Sequence, residues 1–137
     1  MSYDLVVYLK RKNMPTPSAW QSAIVDAGFP VVLDTDFDID SFSGFLPCPV
    51  NHEISGFEYY PSKPSSEELS ELNLASDVDF SILFCIGSRP LELVSVFAAS
   101  SVLAAISGGS LSDPQSGELI TPNNVVSWAK DRISAAS

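Results

Sequence analysis

The chain has 137 residues, of which 17 are Asp or Glu, 7 are Lys or Arg and one is His, giving a formal charge of −10. With 45% apolar residues it is too rich in core-forming side chains to stay disordered, and a domain of this length buries roughly two thirds of its unfolded surface. The acidic balance also argues against a general nucleic-acid binder, because phosphate contacts need Lys and Arg.

Residues 4–9 are short, β-branched and apolar, which suits a buried strand. Thr16 before Pro17 is an N-cap followed by proline at the first helical position, where its missing N–H costs nothing. Trp20, Ile24 and Ala27 then recur at helical spacing, and Gly28 is a natural stop. Over 29–40 the pattern turns to period two: Val31, Leu33, Thr35, Phe37 and Ile39 alternate with Asp34, Asp36, Asp38 and Asp40, which predicts a strand. Ser43, Gly44, Pro47 and Pro49 predict a loop, and 52–60 a further strand interrupted by Gly56.

Ser65 with Glu68 forms a capping box that opens a short acidic helix to about Leu72. The run 79–86 is nearly all apolar, as a strand covered by helices should be. Pro90 starts a helix over 90–107 whose only charge is Glu92; a helix apolar nearly all round is buried. Gly108 and Gly109 stop it, and Asp113-Pro114 with Ser116-Gly117 set the turn of a hairpin over 111–119. Thr121-Pro122 repeats the capped start, and Val125, Trp128, Ala129 and Ile133 make the stripe of a last helix. The order is β-α-β-β-α-β-α, a hairpin, then α: a single α+β domain over 1–137. Its first six elements follow the ferredoxin-like βαββαβ order.

Lys10, Arg11 and Lys12 come after the first apolar run, the reverse of a secretory signal. The run 93–107 is shorter than the ~20 residues a span requires. Cys48, between two prolines, and Cys85, in an apolar run, fit free thiols in a reducing compartment. A cytoplasmic protein without membrane contact is therefore expected.

The aspartate ladder is the most unusual feature. It fails as a calcium loop, because Ile39 stands where glycine is needed and Phe45 where the closing acid belongs. Three readings remain: a solvated, aggregation-resistant edge strand, an acidic docking surface for a basic protein, or a metal site of another kind for which only His52 is available as a helper. The stretch 31–60 carries −6, and no Lys or Arg occurs between Asn13 and Ser62. Such a field speeds association with a cationic partner. Phe45, Phe57, Tyr59 and Tyr60, close to Pro47, Pro49 and Pro61, make either an interface hot spot or the rim of a core.

Enzymatic signals are thinner. Cys85, Gly87, Ser88 and Arg89 resemble an anion loop at a helix start, but three residues separate Cys85 from Arg89 where the tyrosine-phosphatase loop has five. His52 lies four residues after Cys48 and is the one histidine that a Cys-His mechanism has to use. Glu53 and Glu58 need geometry before they can be called an acid–base pair. No metal or cofactor is expected.

The turn-rich stretch 108–122 and the helix bearing Trp128-Ala129-Lys130 resemble the C-terminal part of small bacterial α+β proteins. Acidic proteins of this size resemble the immunity proteins of polymorphic and contact-dependent toxin systems. That resemblance implies a non-catalytic cytosolic protein that occludes the active site of a basic toxin. The expected partner surface is Asp34, Asp36, Asp38 and Asp40 with Glu53, Glu58, Tyr59 and Tyr60. The alternatives are a small enzyme or anion-binding protein built on the 85–89 turn, and a homodimer formed through the 90–107 helix or a sheet edge.

Overall fold

Side-chain alternation decides what each strand covers. In the computed structural model, which describes residues 2–136, β1 (Tyr3–Leu9) turns Leu5, Val7 and Leu9 inward. β4 (Phe80–Ile86) does the same with Ile82, Phe84 and Ile86, and β3 (Gly56–Ser62) with Phe57 and Tyr59. With β2 (Gly44–Pro47), β5 (Ser110–Asp113) and β6 (Glu118–Ile120) they form one antiparallel sheet in the order β2-β3-β4-β1-β5-β6.

Three helices cover the inward face: α1 (Pro17–Asp26), α3 (Pro90–Ser107) and α4 (Val125–Ala136). Thr16 Oγ1 caps α1 by accepting from the Ala19 N–H at 3.1 Å. Trp20 is fully buried, edge-on to Phe84 at 6.2 Å, and its Nε1 donates to the Ala99 carbonyl at 2.9 Å. Helix α3 lies centrally, against β1, β3, β4 and β5, with α1 and α4 beside it. Its small residues Ala98, Ala99, Ser100 and Ala104 are buried and permit that close approach, while Ser100 Oγ satisfies itself on the Val96 carbonyl at 2.6 Å. By length and composition α3 could cross a membrane, yet 61% of it is buried inside the fold. From Ser95 to Ala104 it is covered within the chain and offers no free face for a second copy. Gly108 closes it at φ 69°, where a Cβ is disfavoured.

The order of element types agrees with the sequence, but the sheet is not ferredoxin-like. In that arrangement β1 lies between β3 and β4; here β4 lies between β3 and β1. The intervening helix α2 (Ser66–Glu71) also sits on the other face, where the Tyr8 hydroxyl donates to the Glu68 carboxylate. Tyr8 and Leu69 are buried there, outside the main core cluster. β3 and β4 pair directly and antiparallel, with Tyr59 opposite Phe84, so the connection through α2 is a return between neighbours and not the crossover that parallel strands require.

The strand expected over 29–40 is replaced by an extended segment, and β2 forms inside the expected loop. Residues 31–34 run beside 47–50: the Val32 N–H donates to Pro49 O, the Asp34 N–H to Pro47 O and the Asn51 N–H to Pro30 O, each at 3.0 Å. In an antiparallel ladder each of these residue pairs should exchange two bonds. Pro30, Pro47 and Pro49 have no N–H to give back, so half of the ladder is missing and only an isolated Val31–Val50 bridge remains. The strand expected over 52–60 starts at Gly56 and runs on to Ser62, because 50–53 is a tight turn with Asn51 and His52 at positive φ.

Candidate functional site

The aspartate tract is not a strand and keeps its predicted alternation only in part, since Thr35, expected on the inward face, is exposed and Phe37 is half-buried. Val31, Leu33 and Ile39 are buried, whereas Asp36, Asp38 and Asp40 are exposed and Asp34 is half-buried. Several anchors hold the tract. The Leu33 N–H donates to Gln21 Oε1 of α1 at 2.5 Å, and the Ile39 carbonyl accepts the Tyr59 hydroxyl at 2.6 Å. Phe37 and Phe42 pack on the Tyr59 ring at 5.3 and 6.0 Å. The carboxylates shape the local turns: Asp34 Oδ1 accepts from the Asp36 N–H at 2.9 Å, and Asp38 Oδ1 from the N–H groups of Asp40 and Ser41 at 3.0 and 2.9 Å. Hydrogen bonds from the Ser41 hydroxyl and from these backbone groups hold the Asp38 carboxyl below its ordinary range.

Asp40 is the one member of the tract in an ion pair. Arg11 grips it through Nε at 2.7 Å and Nη2 at 2.8 Å, which holds the Asp40 carboxyl low. The sequence carried a signal for this partner, because Lys10, Arg11 and Lys12 are the only cations before Lys63. Lys10 is engaged separately, with Asp77 at 2.8 Å. Asp34, Asp36 and Asp38 make no ion pair among the described residues. Among the described residues no group of three or more His, Cys, Asp or Glu is placed to hold a metal.

The other residues expected on this surface are distributed elsewhere. Tyr59 is 0% exposed and belongs to the core. Period two in β3 sends its neighbours Glu58 and Tyr60 to the opposite face of the sheet, where the Tyr60 hydroxyl donates to the Glu58 carboxylate. Glu53 is exposed on the 50–53 turn, whose Val50 pairs with Val31. The structure therefore groups Asp34, Asp36, Asp38 and Asp40, leaves Glu53 on an adjoining turn, and separates Glu58 and Tyr60 from them.

The thiols are poorly placed for nucleophilic work. Cys48 is 0% exposed and burial pushes its thiol up to about 12, while its backbone carbonyl accepts Ser95 Oγ at 2.6 Å. His52 is exposed on the turn that follows. Cys85 is also raised to about 12, by burial and then by the neighbouring carboxylates of Asp4 and Glu58. A raised thiol is the opposite of what a nucleophile at neutral pH requires. Cys85 also faces the Glu58 side of the sheet, whereas Ile86, Ser88 and Arg89 border an apolar cavity on the helix side. The anion-loop combination of Cys85 with Arg89 is thus split across the sheet. Compared with family models, curated proteins and solved structures, the chain shows no significant match to any.

Proposed function

We propose that this protein is a non-catalytic binding protein that neutralises a basic protein partner, in the manner of an immunity protein occluding the site of its toxin. The observation that carries the reading is the exposed carboxylate tract on an anchored backbone. Asp36 and Asp38 face solvent without an ion pair among the described residues, while Val31, Leu33 and Ile39 pin the same segment to the core. A surface ordered in advance loses little entropy when it docks. Its unneutralised charge, within a chain of net −10, draws a cationic surface toward it. The resemblance to toxin immunity proteins in size, acidity and C-terminal turn-and-helix pattern supports the same role. The docking patch in this reading is Asp34, Asp36 and Asp38, with Glu53 at its margin and Asp40 committed to Arg11.

The test is affinity capture from the source cell with wild type and with the D36N/D38N double variant, at low and then high salt. One stoichiometric basic protein is expected on wild type, released by salt and depleted on the variant. Equal capture by both baits, or a captured protein indifferent to salt, contradicts the reading.

A further inference from the structure

Helix α3 carries Leu91, Leu93 and Val94 beside Glu92 at its start, but the fold covers it fully only from Ser95 to Ala104. Ahead of that stretch Leu91, Leu93 and Val94 stay half-exposed, and with Tyr3, Ile86 and Ile133 they wall a cavity of about 410 Å³. The Tyr3 hydroxyl is committed to the buried Asp113 carboxylate at 2.8 Å, so Tyr3 presents its ring to the cavity rather than a donor. The volume falls in the range of small-molecule sites, which are mostly apolar with a few polar groups to fix orientation. Grouped aliphatic side chains left open to water gain stability from any apolar body that covers them.

Ser2 and Ser88 also line the cavity, and its one charged lining residue among the described residues is Arg89, exposed at the edge. Its guanidinium makes no ion pair or hydrogen bond among the described residues. The carboxylate of Glu92, in the first turn of α3, is held by the Gly87 N–H at 3.1 Å and is not part of the wall. We propose that this cavity binds a small apolar anion, a carboxylate on a short aliphatic or aromatic body, with the body between α3 and α4 and the carboxylate on Arg89. A guanidinium presents parallel N–H donors that match a carboxylate. This inference does not rest on the partner-binding reading.

The experiment titrates the full chain, labelled at its methyl groups, with octanoate, octanol and octylammonium, and reads the spectra by NMR. Octanoate is expected to give saturable shifts at Leu93, Val94 and Ile133 and to bind more tightly than octylammonium. That preference is demanding, because the net charge of −10 favours the cation over the molecule as a whole. Arg89→Gln should weaken octanoate about tenfold, the loss of one charge-assisted pair, and leave octanol unchanged. Val94→Phe should abolish binding of both while amide shifts remote from the cavity stay in place. The proposal is overturned by non-saturable or scattered shifts, by octylammonium binding as well as octanoate, or by Arg89→Gln without effect.

Discussion

Arg11 decides the ionisation of Asp40, and the consequence can be read one residue at a time. Their bidentate contact lowers the Asp40 pKa in the folded state, so its stabilisation is present at neutral pH and lost as pH falls through that lowered value. Arg11→Gln should move the Asp40 midpoint up to the ordinary aspartate range, seen in the carboxyl carbon shifts; an unmoved midpoint would show that the pair is not formed in solution. The thiols give a second check. With Cys48 and Cys85 both pushed up to about 12, neither should be alkylated readily by iodoacetamide at pH 8 in the folded protein, and both should react once guanidinium unfolds it. Rapid native labelling of Cys48 would contradict its burial. Individual chemistry was partly legible in the sequence. The exposure of Asp36, Asp38 and Asp40 could be read there, because it follows from local pattern. That Tyr59 is core and Tyr60 surface could not be read, since two adjacent aromatics carry no label for the face each takes.

Elements were more legible in kind than in extent. Capping residues act within one turn, so Thr16-Pro17 and Ser65-Glu68 placed the starts of α1 and α2 correctly. Gly108→Ala should cost about 1 kcal/mol, because alanine strains at φ 69° even with open space around the position. Thr16→Ala should cost a similar ~1 kcal/mol by freeing the Ala19 N–H. Both are checked by urea denaturation, and a change below about 0.3 kcal/mol would contradict the assigned cap in either case. The strand expected over 29–40 failed for a reason visible only after pairing. Its alternation holds up to Leu33 and breaks at the exposed Thr35, and the partner of 31–34 is 47–50, where Pro47 and Pro49 withhold two donors and Pro30 a third. Sheet order was beyond reach, because nothing local in 63–79 distinguishes a crossover past another strand from a direct return. The chain returns directly there, with α2 seated against Tyr8 and β3 and β4 adjacent and antiparallel.

For the whole molecule, the arrangement of charge matters more than its total. The cations Lys10, Arg11 and Arg132 are engaged with Asp77, Asp40 and Glu118, whereas Asp34, Asp36 and Asp38 remain unpaired among the described residues. Surface fields of this kind change association rates more than dissociation rates, and salt screens them within about 8 Å at physiological ionic strength. The sequence revealed the acidic middle of the chain but not its division, because the fold sends Glu58 to the far sheet face and keeps the aspartates beside α1. The most direct measurement is therefore the association rate constant with the captured basic partner, for wild type and D36N/D38N, across a range of ionic strength. Wild type should associate faster at low salt, on the order of tenfold, and the two should converge as salt rises. Identical rates at every ionic strength, with unchanged dissociation, would contradict docking through the aspartate tract.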